Sequence, residues 1–237
     1  MLKIVDDIRQ DEPRVGTRKL HDRLRKYGKK IGRDTLFSLL REHGKLVKPK
    51  KNFKKTTYSK HSYAVAPNRV KELVVEVAKQ VVVSDITYLR LSHQEFAYLF
   101  LVTDMYSRRI VGYHVSGDLS HYSALIALDN AVKVMDNVEG TIHHSDRGCQ
   151  YCCHEYLRYL ARHKMLPSMT DESHCYQNAI AERLNGILKD EFNLDQVFDS
   201  FAQCKRAVDK AVMVYNTKRT HWSLELATPQ EVYELAA

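Results

Sequence analysis

Three acidic residues lie in segments that a folded chain can bring together. Asp85 lies in VVVSDITYLRL, Asp146 ends TIHHSD, and Glu182 lies in QNAIAERLNGILKDEF. The first two segments are rich in β-branched and aromatic residues and are predicted as strands, whereas the third has helical spacing. Carboxylates from two strands and a helix can meet at the edge of a sheet, where oxygen ligands favour Mg²⁺ or Mn²⁺ over zinc. The pattern predicts metal-assisted phosphoryl transfer.

The helix that carries Glu182 has an apolar side and a polar side. Apolar residues at helical spacing form one stripe, which is predicted to face the core: Ile180, Leu184, Ile187 and Leu188. Glu182 falls on the opposite side, with Asn178, Asn185 and Lys189. The alternative is a solvated polar face that happens to include a glutamate. Spacing alone does not decide between the two, because the chain has 29 acidic residues among 237.

Other polar residues near these segments have simpler explanations. His143 and His144 adjoin Asp146, but neighbouring histidines at a strand end are interpreted as packing or solvent contacts and are left outside the metal site. Asp104 precedes a turn and Asp171 lies in a polar loop, so local backbone capping accounts for both.

The five cysteines are predicted to be reduced thiols, since their number is odd and no secretory signal precedes them. CQYCCH at 149–154 raises structural zinc as an alternative, with Cys149, Cys152 and His154 as the candidate ligands. No second ligand pair of matching form supports that alternative.

The elements around the three carboxylates form an α/β pattern. Three strands joined by short turns, around Asp85, in FAYLFLVTDM and in RIVGYHVSG, are expected to be antiparallel. HYSALIALDNAVKVM is predicted as a helix, TIHHSD as a strand, CCHEYLRYLARHK as a helix and MLPSM as a fifth strand, followed by the helix of Glu182. The order favours a ribonuclease H-like core, with a mixed five-stranded sheet flanked by helices, over residues 69–237. C-terminal helices follow, one through about Asn216 and a short one from Thr228–Pro229.

The basic charge of the chain is concentrated at its start. Residues 1–60 hold 19 of the 37 Lys and Arg and 7 of the 29 Asp and Glu, a net +12, which leaves −4 on the remaining 177 residues. A segment of this kind suits a polyanion such as DNA. RKLHDRLRKYG and DTLFSLLREHG, with Asp34 as the expected cap of the second, predict two short helices within a helix-turn-helix-like DNA-binding region, residues 1–47. A plain helical hairpin is the alternative, and residues 48–68 are predicted as a basic linker.

Five segments together carry a family resemblance: VVVSDITYL, LVTDMYSRRIVGYHVS, IHHSDRGCQY, SMTDESHCYQNAIAERLNGILKDEF and YNTKRTHWSLELATPQEVY. In this order they resemble the integrase-like DDE transposases of the insertion-sequence-three family, over nearly all of residues 13–233. The resemblance implies the ribonuclease H-like core of retroviral integrases and a catalytic, metal-binding triad of Asp85, Asp146 and Glu182. Departures from the family pattern leave all three carboxylates in place: Val82 for Trp, Cys149 for Ser and Thr220 for Pro.

The resemblance also implies a reaction and its partners. We expect two Mg²⁺ (or Mn²⁺) ions, with Asp85 bridging both, Asp146 holding one and Glu182 the other. The expected substrates are the terminal inverted repeats of an insertion sequence and target DNA, in the cytoplasm of a bacterium. A homo-oligomer is expected, together with a possible partner from an upstream reading frame, and no membrane. The expected DNA contacts are Lys189, Asn178, Arg33, Lys50 and Lys51.

Two other functions remain open at this level. One is a non-catalytic DNA-binding regulator of transposition, in which the core only supports assembly. The other is a ribonuclease H-like nuclease, which would cleave DNA without regard to element ends and would not transfer strands.

Overall fold

A computed structural model of the protein describes residues 1–47, 65–92, 95–171 and 179–236. The chain begins with three helices: α1 (Leu2–Asp11), α2 (Thr17–Lys26) and α3 (Arg33–Glu42). They share a small apolar core of their own, formed by Val5, Ile8, Val15, Leu20, Leu24, Leu36 and Leu40. The two helices predicted from sequence are present, and α1 was not predicted.

Glycines end the two predicted helices, whereas the predicted cap of α3 is wrong. Gly28 and Gly44 follow the ends of α2 and α3 with φ of 70° and 63°, a conformation that glycine adopts without strain. The residue that caps α3 is Gly32, in an extended conformation, so the helix begins before Asp34. Asp34 lies inside the first turn, where its Oδ1 accepts a hydrogen bond from Nε of Arg33 at 2.9 Å.

The core contains a mixed sheet. Its strands are β1 (Val81–Leu91), β2 (Phe96–Asp104), β3 (Ile110–Ser116), β4 (Ile142–Ser145), β5 (Leu166–Met169) and β6 (Val197–Phe198). The order is β3-β2-β1-β4-β5, with β6 paired to β1. The first three strands are antiparallel, as predicted, while β4 and β6 run parallel to β1 and β5 runs parallel to β4. The five predicted strands are confirmed, and the two-residue β6 was not predicted.

Helices cover both faces of the sheet. They are α4 (His121–Met135), α5 (Cys149–Cys152), α6 (His154–Arg162), α7 (Ala179–Glu191), α8 (Phe201–Thr217) and α9 (Pro229–Ala236). Alternate β2 residues point to opposite faces, so that Phe100 and Val102 pack with α4 and α6, while Leu99 and Leu101 pack with α7 and α8. The helix predicted over CCHEYLRYLARHK is broken at Cys153, whose extended backbone separates α5 from α6.

The N-terminal helices contact the core at the end of α7. The Glu191 carboxylate accepts two hydrogen bonds from Arg219, at 2.7 and 2.8 Å, and lies 3.4 Å from Nζ of Lys19 in α2. The backbone N–H of Arg14 donates to the Glu191 carbonyl at 3.1 Å. Within the described ranges, no helix combines the length and the apolarity needed to cross a membrane.

Candidate active site

The sheet brings two of the three predicted carboxylates together. Ser84 of β1 pairs with Ser145 of β4 in parallel register, and Asp85 and Asp146 are the residues that follow. Neighbouring strands lie about 4.8 Å apart, so the two aspartates start from adjacent backbone positions. β4 ends before Asp146, whose Oδ1 accepts a hydrogen bond from the N–H of Gly148 at 2.9 Å. That bond holds the carboxylate at the beginning of the following turn.

Helix α7 faces Asp85 through one line of polar residues. Nδ2 of Asn185 donates to Oδ2 of Asp85 at 2.5 Å. Glu182 lies three residues before Asn185 and Lys189 four residues after it, so all three occupy one side of the helix. Leu184, Ile187 and Leu188 are buried, as predicted. The alternative of a solvated polar face does not hold for Asn185, which is only 9% exposed and whose amide contacts Asp85.

The three acidic groups influence one another electrostatically. Burial, followed by the negative charges of Asp146 and Glu182, raises the pKa of Asp85 to about 7. Hydrogen bonds from the Ile86 backbone and from Asn185 act in the opposite direction. Mutual repulsion of this kind is relieved when a cation binds between carboxylates.

Lys189 brings a positive charge to this side of α7. Burial lowers the pKa of its ammonium group, and the charge of Asp85 opposes that change. The residue is partly buried rather than fully solvated. A cation in this position can contact a DNA phosphate bound over the carboxylates.

The neighbouring histidines are engaged elsewhere. Nε2 of His143 lies 2.8 Å from Oγ of Ser84 and 2.9 Å from the Tyr156 hydroxyl, and both His143 and His144 are buried. Nδ1 of His144 lies 2.9 Å from Oγ of Ser168. Burial lowers the pKa of His143 to about 3, so its ring is neutral at physiological pH. The donors that face one another in the site are therefore hard oxygen atoms, which fit Mg²⁺ or Mn²⁺.

The competing aspartates have structural partners. Asp104 is fully buried and accepts hydrogen bonds from the backbone N–H groups of Lys79 and Ser107, at 2.7 and 2.8 Å. Asp171 lies 3.6 Å from Nζ of Lys71. The capping interpretation holds for Asp104, and an ion pair accounts for Asp171.

Of the predicted DNA contacts, only Lys189 and Arg33 can be located. Asn178, Lys50 and Lys51 lie outside the described residues. Arg33 lines an open cleft together with Arg18, His21 and Trp222, the only tryptophan of the sequence. Sequence reasoning did not single out Arg18 or Trp222, although the single tryptophan of a basic protein was an available signal.

Comparison with protein families identifies two overlapping matches. The model described as "Integrase core domain" matches residues 76–175, and a second model of the same description matches residues 163–229. Together the two matches contain all three carboxylates and every strand of the sheet.

Curated relatives come from bacterial insertion elements. The chain is 32% identical to the "Insertion element IS600 uncharacterized 31 kDa protein" of Shigella sonnei, over 80% of this chain and 72% of that protein. It is 30% identical to the transposase for insertion sequence element IS629 of Shigella sonnei, over 75% of this chain and 59% of the relative. It is 32% identical to the transposase InsF for insertion sequence IS3A of Escherichia coli K12, over 77% of this chain and 63% of the relative. The chain therefore spans less than two thirds of the two named transposases.

Solved structures share the fold. The magnesium complex of the HTLV-2 integrase catalytic core domain, in its trimeric form, superimposes with a TM-score of 0.53 at 16% identity, covering 66% of this chain and 97% of that chain. The simian T-cell lymphotropic virus intasome with PP2A regulatory subunit B56 gamma gives a TM-score of 0.57 at 14% identity, covering 90% and 70%. At these identities the likeness concerns the fold alone.

Proposed function

Since the chain belongs to the integrase-like transposases of the insertion-sequence-three family, we propose that it catalyses metal-dependent DNA strand cleavage and strand transfer at insertion-sequence ends. The observation that carries this proposal is the parallel pairing of β1 with β4, from which Asp85 and Asp146 follow side by side, together with the hydrogen bond that joins Asp85 to Asn185, three residues after Glu182 in α7. Burial, followed by the charges of Asp146 and Glu182, raises the pKa of Asp85 to about 7. Glu182 itself is exposed, so the cost of the repulsion falls mainly on Asp85, and that cost is explained when the carboxylates bind divalent cations.

The three carboxylates are the proposed metal ligands. Asp85 would hold both of two Mg²⁺ or Mn²⁺ ions, with Asp146 on one and Glu182 on the other. When bound, a pair of such ions lowers the pKa of the attacking water or 3′-hydroxyl and stabilises the departing 3′-oxygen. An acidic triad of this kind needs neither a serine or tyrosine nucleophile nor ATP, because strand transfer exchanges one phosphodiester for another.

Side chains around the triad orient it and balance charge. Asn185 fixes the Asp85 carboxylate through its 2.5 Å hydrogen bond. Lys189 supplies a positive charge toward the phosphate, which carries most of the negative charge of the substrate. His143, neutral and fixed between Ser84 and Tyr156, supports the strand pair from behind without acting as a ligand.

The N-terminal helices are the proposed DNA-binding element. Arg18 and Arg33 line one cleft with His21 and Trp222, and guanidinium groups bind phosphates while an aromatic ring stacks on bases. Lys50, Lys51 and Asn178 remain predicted contacts. Two element ends must meet for transfer, so we propose a homo-oligomer, with a protein from an upstream reading frame as a further partner.

Incubation of the purified chain with labelled terminal-repeat DNA and Mg²⁺ tests this proposal. The expected result is nicking at the element end followed by a joined-end product, both lost when EDTA replaces Mg²⁺. Binding without nicking would favour a DNA-binding regulator. Cleavage of any duplex, without preference for element ends and without joining, would favour a ribonuclease H-like nuclease.

A further inference from the structure

The cysteine-rich segment does not form the metal site that its spacing suggests. The Cys152 side chain is buried and its sulfur lies 3.6 Å from the sulfur of Met169, while His154 is exposed. A different set of ligands comes together instead. A ring nitrogen of His121, the Cys153 sulfur and a carboxylate oxygen of Glu155 all lie within 4.8 Å of one another.

His121 has a nitrogen that lacks a partner. Its Nε2 is buried and makes no hydrogen bond within the described part of the chain. The ring is held against Tyr122, with the centroids 4.1 Å apart. A buried polar atom without a partner costs free energy, and such atoms in folded proteins are commonly explained by a bound water or ion.

Cys153 lies at the N-terminus of α6, immediately before its first residue. Burial raises the pKa of its thiol, and the backbone N–H groups of Tyr156 and Glu155 at the start of that helix offset part of this rise. Helix N-termini stabilise thiolates in this way, and the thiolate is the form that binds metal.

The ligands are positioned by elements that already contact each other. His121 is the first residue of α4, whose cap Ser120 accepts a hydrogen bond from the N–H of Ser123 at 3.3 Å. Nε2 of Gln150, in α5, donates to the carbonyl of Leu119 at 3.0 Å. The start of α4 is therefore fixed beside the corner between α5 and α6, on which Cys153 and Glu155 lie.

We propose that His121, Cys153 and Glu155 bind a Zn²⁺ ion that joins the start of α4 to the corner between α5 and α6. Nitrogen, thiolate and carboxylate are the ligands that zinc takes, and three protein ligands leave a fourth position for water. The three ligand atoms lie within 4.8 Å of one another, and metal–ligand bonds of about 2.0–2.3 Å would draw them closer together, with the exposed Glu155 side chain having room to move. This site is separate from the acidic triad and does not depend on its proposed chemistry.

Titration of the purified chain with Co²⁺ tests the proposal, since cobalt occupies zinc sites and reports its ligands by absorption. Only a thiolate ligand produces an intense sulfur-to-cobalt charge-transfer band, so cobalt bound to the acidic triad does not contribute to it. We expect the band to appear with one equivalent of Co²⁺ and to disappear when Zn²⁺ is added. No band in the reduced wild-type protein would overturn the proposal.

Matched variants separate the two possible ligand sets. Cys153→Ser is expected to abolish the band, and Glu155→Gln, at an exposed position that does not threaten the fold, to weaken Co²⁺ binding by at least about tenfold. Cys149→Ser and His154→Ala are expected to retain wild-type binding. The reverse result would be weaker Co²⁺ binding in Cys149→Ser or His154→Ala and unchanged binding in Glu155→Gln. That result would assign the metal to Cys149, Cys152 and His154 and would refute this site.

Discussion

Asp85 lies in an environment that disfavours its charged form. Burial and the charges of Asp146 and Glu182 raise its pKa to about 7, and the hydrogen bond from Asn185 offsets only part of that effect. A residue of this kind lowers the stability of the metal-free protein, which is a common cost of a prepared active site.

Asp85→Asn is expected to stabilise the metal-free protein at pH 8 but not at pH 4. The folded pKa lies above the unfolded value of 3.8, so folded Asp85 binds more protons, and its stabilising contribution is lost as pH rises from about 4 to about 7. Urea denaturation in EDTA measures the difference in the free energy of unfolding between Asp85→Asn and the wild type, which should be on the order of 1–3 kcal/mol at pH 8.

Magnesium supplies the control for that experiment. Added Mg²⁺ should stabilise the wild-type protein at pH 8, because a ligand that binds only the folded state shifts the equilibrium toward it. The same addition should have a much smaller effect on Asp85→Asn. Identical pH profiles for the two proteins in EDTA would contradict the charge repulsion described here.

Asn185 illustrates a limit of sequence reasoning at this scale. Its place on the polar side of α7 was equally compatible with solvent contact, whereas it is buried against Asp85. Helical spacing assigns a residue to a side of its helix but does not reveal that another element carries a polar group facing that side. The partner, in β1, is 100 residues away in the chain.

Among the elements, those with strong local patterns were predictable. α4 was predicted over its observed range, His121–Met135, since its apolar residues recur at helical spacing. The break at Cys153 was not, because CCHEYLRYLARHK has a continuous helical pattern and contains no proline or glycine. β6 has two residues, Val197–Phe198, too few for any periodicity, and it exists through pairing with β1. The parallel register of β1 and β4, which places Asp85 beside Asp146, is likewise a tertiary property.

Gly112 of β3 packs directly against α4. A Cβ atom added there would lie 2.6 Å from the backbone nitrogen of Ala131, and it would also collide with the carbonyl oxygen of Ala127. Gly112→Ala is therefore expected to destabilise the protein by about 1–3 kcal/mol or more in urea denaturation. Gly186, in α7, has open space around it, so Gly186→Ala is the matched control. This variant should raise the free energy of unfolding by about 0.5–1 kcal/mol. Equal effects at both positions would contradict this packing.

Glu191, at the end of α7, joins the N-terminal helices to the core. Burial alone would raise its pKa, but the hydrogen bond and charge of Arg219, together with Lys19, lower it below the usual value. Glu191→Gln removes the ion-pair partner of Arg219, whose side chain is only 2% exposed. We expect the free energy of unfolding, measured by urea denaturation, to fall by about 3 kcal/mol, and hydrogen exchange in α2 to become faster.

Glu139→Gln is the matched control for the Glu191 pair. Glu139 and Lys164 form an ion pair at 2.9 Å, but both side chains are more than 60% exposed. Exposed pairs of this kind contribute about 0–1 kcal/mol. If Glu139→Gln lowered the free energy of unfolding as much as Glu191→Gln does, the docking role of Glu191 would be contradicted. Unchanged hydrogen exchange in α2 of the Glu191→Gln variant would contradict it as well.

At the scale of the whole molecule, the proposed DNA-binding part is basic and is separate in sequence from the proposed acidic site. Residues 1–60 carry a net +12, while the remaining 177 carry −4. The cleft of Arg18, His21, Arg33 and Trp222 lies on the basic side of this division, between α2, α3 and the segment that follows α8.

Arg33→Ala is expected to weaken binding to terminal-repeat DNA by about three- to tenfold and to reduce the salt dependence of the affinity by about one counterion. Fluorescence anisotropy at several salt concentrations measures both quantities. Arg158→Ala, which removes an exposed arginine from α6, is the matched control and should leave them unchanged. Equal losses in the two variants would show that net charge alone, rather than this cleft, determines binding.

We propose that Asp85, Asp146 and Glu182, from β1, the end of β4 and α7, act as one metal-binding group on DNA. The most direct test is Mg²⁺-dependent nicking of a terminal-repeat oligonucleotide by Asp85→Asn, Asp146→Asn and Glu182→Gln, with Asp190→Asn, an exposed carboxylate of α7, as the control. Each of the first three should lose at least about 10³-fold in rate while binding DNA nearly as well as the wild type, since several kcal/mol of charge stabilisation disappear. Asp190→Asn should remain active. Full activity in any one of the three triad variants would contradict the account.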